Sequence, residues 1–213
     1  MKSLRFTLVS DGPSDAALLH PLRWLLQANG VNDPIEPAWA DLRSFPKPFP
    51  TLELKIRAAI ELFPCELLFV HRDAEREPRA KRVEEIRSAI QRISTDFFAG
   101  RPYACVVPVR MTEAWLLFDE AAIRRAAGNP SSNTPLNLPA LSRVEDLPDP
   151  KAILNETLLR ATDKPARRLK KFKTGLAVQR VAELISDYAP LRRTTAFQAL
   201  ENELQTVLGM FRD

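Results

Sequence analysis

Four short apolar runs, near residues 4–10, 35–42, 66–71 and 103–109, each lead into a stretch whose apolar residues fall at helical spacing. This alternation constrains the fold more than any other feature. Strand and helix repeated in order build a parallel sheet with helices on both faces. In the first unit, Phe6-Thr7-Leu8-Val9-Ser10 turns at Asp11-Gly12-Pro13 and continues as Leu18, Leu19, Leu22, Leu25 and Leu26, one face of a helix. Pro13 suits the first helical position, where its missing N–H costs nothing, and Pro21 is expected to kink the helix that follows. The third run, Glu66-Leu67-Leu68-Phe69-Val70-His71, is nearly continuous in apolar side chains, as a central parallel strand requires. Between the runs, helices are predicted over residues 52–63, 77–93 and 111–127, the last unusually apolar and containing Trp115-Leu116-Leu117-Phe118.

Prolines gather at 34–50, 130–150 and around 165, which marks connections, and Phe45-Pro46-Lys47-Pro48-Phe49-Pro50 reads as a rigid extended connector. From residue 151 onward the patterns are helical, over 152–162, 174–188 and 196–211. The expected organisation is an α/β domain over 1–129, a Pro-rich loop over 130–150, and a helical extension over 151–213 packed on the same domain. The 213 residues are enough to bury such a core. A net charge of +4 permits a nucleic-acid partner without demanding one. The 2 cysteines, Cys65 and Cys105, lie in or beside apolar runs and read as free buried thiols of a reducing compartment. No leader pattern and no apolar run of membrane-spanning length is present, so a cytoplasmic protein with no membrane partner is expected.

The candidate chemistry follows from topology. A parallel sheet aligns all strand C-termini along one edge. Acidic residues follow three of the runs at once: Asp11 after the first, Asp73 and Glu75 after the third, and Glu113 after the fourth. Carboxylates brought together repel one another unless a cation compensates, and Mg²⁺ or Mn²⁺ suits oxygen ligands. Each acid has a plainer role as well: Asp11 in a strand–helix turn, Asp73 and Glu75 in a solvated turn, Glu113 at a helix start. His71 is read as a strand-end residue and Asp15 as a first-turn acid favoured by the helix dipole. No Walker or dinucleotide glycine motif occurs, and Ser14 has no general base in view. The basic segment Arg167, Arg168, Lys170, Lys171 and Lys173, with Phe172 among them, is either a track for a phosphate backbone or a solvated face.

The motifs carry a family resemblance. Residues 8–15, Leu-Val-Ser-Asp-Gly-Pro-Ser-Asp, resemble the first motif of Toprim-like proteins, where a strand ends in Glu-Gly before a helix. Residues 69–75, Phe-Val-His-Arg-Asp-Ala-Glu, resemble their Asp-x-Asp motif. Residues 107–119, containing Glu113-Ala114-Trp115-Leu116-Leu117-Phe118-Asp119, resemble the Glu-Ala-Trp-Leu-Leu-x-Asp signature of the family called DUF4276, small bacterial Toprim-like proteins considered partners of ATPases in anti-phage systems. The helical tail with Lys171 and Pro190 is also similar, so the resemblance spans nearly the whole chain. It implies a Rossmann-like Toprim sheet, Mg²⁺ and phosphodiester chemistry, with Asp11, Asp73 and Glu75 as the motif acids. The chain departs from the pattern in having Asp11 for Glu, Asp-Ala-Glu for Asp-x-Asp, and no glycine after the second motif.

Two functional readings stand at this point. One is a Mg²⁺-dependent Toprim-like nuclease of DNA or RNA. There Asp11, Asp73 and Glu75 hold metal, Glu113 is a further ligand or the base, and the Arg167–Lys173 cations meet phosphate. The other is a catalytically degenerate adaptor or sensor serving a partner ATPase. An aspartyl-nucleophile phosphatase fits less well, because the first strand offers one Asp followed by Gly-Pro.

Overall fold

The apolar runs pair side by side. In a computed structural model that describes residues 3–45 and 49–211, β1 (Leu4–Val9), β2 (Ile35–Trp39), β3 (Leu67–His71) and β4 (Tyr103–Val106) form one all-parallel sheet in the order β2-β1-β3-β4. Leu8 lies opposite Trp39 on one side and Phe69 on the other, and Val70 lies opposite Cys105. The helices are α1 (Leu19–Ala28), α2 (Leu52–Leu62), α3 (Arg79–Arg92), α4 (Thr95–Phe98), α5 (Glu120–Ala126), α6 (Pro150–Ala161), α7 (Ala166–Leu169), α8 (Thr174–Leu184) and α9 (Thr195–Gly209). The architecture is Rossmann-like α/β with a helical C-terminal part. Among the described residues no helix is long and apolar enough to cross a membrane.

Successive strand side chains point to opposite faces, and both faces are buried. Phe6, Leu8, Leu67, Phe69, Ala104 and Val106 pack with Leu22, Leu25 and Leu26 of α1. Val9, Leu68, Val70 and Cys105 pack with Ile56 and Ile60 of α2 and with Val83, Ile86 and Ile90 of α3. The first of these cores also takes in Leu154 and Leu158 of α6, Val178 and Val181 of α8, and Phe197, Leu200 and Leu204 of α9. The C-terminal helices therefore bury their apolar faces against the same side of the sheet as α1. The edge strand β4 is covered by α9, whose Glu203 Oε1 accepts the Cys105 backbone N–H at 3.2 Å. The other edge, β2, contains the exposed Pro37, a residue that edge strands tolerate.

Local chemistry revises three sequence expectations. The segment 111–127 is not one helix. It is a 3₁₀ helix, Thr112–Leu116, followed by a break and then α5. Asp119 adopts an extended conformation and its side chain accepts the Ala122 N–H at 2.9 Å, so a new helix starts there. Likewise the helix after Gly12 begins as a 3₁₀ helix, Pro13–Leu18, and Pro21 falls in the first turn of α1, where no intrahelical N–H is needed. Within 130–150 the chain forms a 3₁₀ helix, Leu141–Asp146, that buries Val144 completely. The connector expected over 45–50 falls largely on residues 46–48, which lie outside the described residues.

Trp115 is the largest fully buried side chain, 1% exposed, with its ring edge-on to Phe197 at 5.2 Å. Phe118 is only half-buried, against Tyr188. Among the described residues the Trp115 indole N–H has no hydrogen-bond partner. Trp115→Ala is expected to cost roughly 3–5 kcal/mol in urea unfolding. Trp115→Phe should cost under about 1.5 kcal/mol, because it keeps an aromatic ring and removes an unsatisfied buried donor. Equal losses for the two variants would contradict this packing.

Candidate functional site

The connections after β1 and β3 leave for opposite faces. β1 is followed by α1 in one core, and β3 is followed by α3 in the other, while β1 and β3 are hydrogen-bonded neighbours. This is a topological switch point, and it opens a crevice at the C-terminal ends of the two strands. Asp11, Gly12 and Asp15 enter it after β1, His71 at the end of β3, and Arg72 and Asp73 after it.

The last wall comes from the segment after β4. Backbone bonding between β3 and β4 continues past both strands: Arg72 N–H donates to Val106 O, Ala74 N–H to Pro108 O and Glu75 N–H to Arg110 O. These bonds hold residues 72–75 alongside 106–110 and bring Thr112 over Asp73. The Thr112 N–H donates to Asp73 Oδ1 at 3.1 Å. Thr112 and Glu113 are both buried in the following 3₁₀ turn.

His71 is 1% exposed and stands among these groups. Its Nδ1 lies 2.9 Å from Val106 O, and since a carbonyl only accepts, Nδ1 carries the hydrogen. Nε2 then faces three oxygens: Asp73 Oδ1 at 3.4 Å, Thr112 Oγ1 at 3.4 Å and Asp15 Oδ2 at 3.8 Å. Burial lowers the His71 pKa, against the pull of Asp15. Burial, then Asp15 and Glu113, push the Asp73 carboxyl up to about 7. A neutral Nε2 facing a charged Oδ1 would set lone pair against lone pair, so a proton or a cation belongs between them. Burial likewise raises Glu113, against Lys151, whose Nζ is 3.9 Å from Oε1. Asp15 is 6% exposed and its Oδ2 accepts the Gly12 N–H at 2.8 Å, which closes the turn after β1.

The sequence-predicted acids separate into two groups. Asp11, Asp73 and Glu113 share the crevice, since the charges of Asp11 and Glu113 both raise Asp73. Asp11 is half-exposed and already faces two cations, Lys55 Nζ at 3.5 Å and Arg72 Nε at 3.0 Å. The Arg72 contact is a close ion pair without hydrogen-bond alignment, so that buried N–H stays unsatisfied. Glu75, itself at a φ of 55°, is turned outward to Arg82 Nη2 at 3.4 Å. Arg167, Arg168, Lys170, Lys171 and Lys173 are exposed around α7 and the turn after it, and the cation facing Glu113 is Lys151 instead. Among the described residues, no three His, Cys, Asp or Glu side chains stand as a ready metal-ligand set. Asp15 and His71 are the residues that sequence reasoning assigned to a helix start and a strand end. The only signal for them was proximity in sequence to Asp11 and Asp73.

A carboxyl with a raised native pKa gives the folded chain a proton that the unfolded chain has already lost. Stability from Asp73 therefore falls as pH rises from the ordinary value of 3.8 towards about 7, and is level above it. Asp73→Asn should gain little over the parent at pH 4 and up to ~4 kcal/mol at pH 8 without metal. Melting temperatures of both proteins across that range check this, and a gain that does not grow with pH would refute it.

Compared with protein-family models, curated proteins and solved structures, the chain matches none.

Proposed function

We propose that the crevice between β1 and β3 is a divalent-cation site for hydrolysis of nucleic-acid phosphodiesters. The observation that carries this reading is the packing of Asp15, Asp73 and Thr112 around His71 at the switch point, with Asp73 pushed up to about 7 by burial and by the charges of Asp15 and Glu113. Buried like charges at a ligand-binding edge mark a place where a cation lowers the energy of the whole cluster. The donors are mainly carboxylate oxygens, which fit Mg²⁺ or Mn²⁺ in kind. Asp73 and Asp15 would hold the ion, with Asp11 joining from the rim and Glu113 from the buried turn after β4. When bound, such an ion supplies neutralisation of phosphate charge and a more acidic water.

The chain's own residues do the rest of the work. Lys55 and Arg72, on the open side of Asp11, attract a phosphate into the crevice. The Thr112 N–H and His71 fix the Asp73 carboxyl in place. Glu113, kept protonated more readily than an exposed acid, is suited to give a proton to a departing oxygen or to take one from water. Kinship with the DUF4276 group and service to a partner ATPase in phage defence belong to this same proposal and rest on the motif resemblance.

One observation favours the adaptor reading. Asp11 is engaged by Lys55 and Arg72, and Glu75 by Arg82, so two of the three motif acids are neutralised by the protein's own cations. The two readings differ in their response to metal. For the hydrolase, Mg²⁺ or Mn²⁺ at 100 times its Kd should add about 2.7 kcal/mol of stability. Cleavage of single- or double-stranded DNA or RNA should stop with chelator and fall by about 10² or more in Asp73→Asn. Cleavage that survives either treatment sinks the metal mechanism. No cleavage and no stabilisation by metal selects the adaptor.

A further inference from the structure

Beside the carboxylate crevice lies a cavity of about 390 Å³ that the hydrolytic reading leaves unused. It is bounded by Asp11 and Lys55 on the crevice side and by Trp39, Arg43, Phe45 and Phe49 on the other. Its size falls within the range of small-molecule pockets, which begins at roughly 300 Å³.

The wall is unusual for a surface. Phe45 is 39% exposed, and its ring stands against Phe49 at 4.9 Å between centroids, tilted by 59°. These two rings belong to neither buried core. Trp39 is held in place from both sides. Its indole N–H donates to Ser10 Oγ at 2.9 Å, and the Arg43 guanidinium lies over its ring at 5.3 Å. Arg43 is itself steadied by Asp41, in a fork of Nε and Nη2 to the two carboxylate oxygens. The result is an aromatic wall with a cation on each flank, opening directly onto Asp11.

We infer that this cavity receives one unpaired nucleobase of a single-stranded nucleic acid, with the adjoining phosphate at Lys55 beside Asp11. This rests on the reading of the crevice as a phosphodiester site and names its substrate class. Aromatic side chains bind the faces of bases with little sequence preference, and flanking cations track the backbone. A base within a duplex is stacked and paired, and must be extruded before it can enter such a pocket. Rings recognise any base by its face, so the preference argued from them is for single strands over duplexes and not for one base over another.

The probes are a labelled oligothymidylate of about 12 nucleotides, a strand of equal length with abasic sugars, and the duplex. Binding is read by fluorescence anisotropy in Ca²⁺ and again in chelator, with thymidine monophosphate as a competitor. The base-bearing strand is expected to bind roughly tenfold more tightly than the abasic strand and the duplex, about 1.4 kcal/mol. The double variant Phe45→Ala/Phe49→Ala should lose that preference with an unchanged melting temperature, since both rings lie outside the cores. Equal binding of base-bearing and abasic strands overturns the pocket, even if cleavage is observed. So does a preference that survives the double variant, or monophosphate binding to which a longer strand adds nothing. Base-dependent binding with no cleavage in Mg²⁺ or Mn²⁺ supports the pocket and removes the hydrolytic reading alone.

Discussion

The pairing of β1 with β3 is the contact on which the rest depends. These two strands are neighbours in the sheet, yet the chain leaving one goes to the opposite face from the chain leaving the other. The sheet is filled by side chains on both faces, and polar groups gather in the gap above the strand ends. Asp11 and Asp73 stand at that gap because they are the first acids beyond the two strands. β4 extends the pattern through backbone bonds that run on past its last regular residue, and these deliver Thr112 and Glu113.

The charges around the gap differ in how they are balanced. Asp11 has Lys55 and Arg72 at the exposed rim, the buried Glu113 has Lys151, and Glu75 has been drawn away by Arg82. Asp15 and Asp73 face a histidine whose other nitrogen is committed to a backbone carbonyl. That arrangement leaves one proton to be shared between Nε2 and the Asp73 carboxyl, which burial and the charges of Asp15 and Glu113 already make a weaker acid. A cation bound at the proposed site would compete with that proton inside and with Lys55 and Arg72 outside. Metal affinity in such a site rises with pH for this reason.

The C-terminal helices serve this site indirectly. α8 reaches the strand–helix turn, where Gln179 Nε2 donates to Ser14 O at 2.7 Å and to Pro13 O at 3.2 Å. α9 shields the β4 edge through Glu203 and carries Phe197 into contact with Trp115. Glu201 of the same helix ties Arg192 and Asn29 together, linking α9 to the end of α1. The turn that presents Asp11 and Asp15 is thus braced by residues more than a hundred positions away.

The sheet was legible because period-two burial on both faces leaves apolar runs that nothing else explains, as in residues 66–71. Its parallel sense was legible because each run was followed by a helix long enough to cross over. The convergence of Asp11, Asp73 and Glu113 followed from that topology alone. The break at Asp119 was hidden, since an apolar stretch has the same composition whether it forms one helix or two. Glu75 looked equivalent to Asp73 in sequence, but a left-handed backbone at that residue and a cation on α3 turned its side chain outward. The roles of His71 and Asp15 were decided only by tertiary structure. Burial and through-space charge depend on which groups meet across strands, and two residues 56 positions apart carry no local mark that they will lie 3.8 Å from each other.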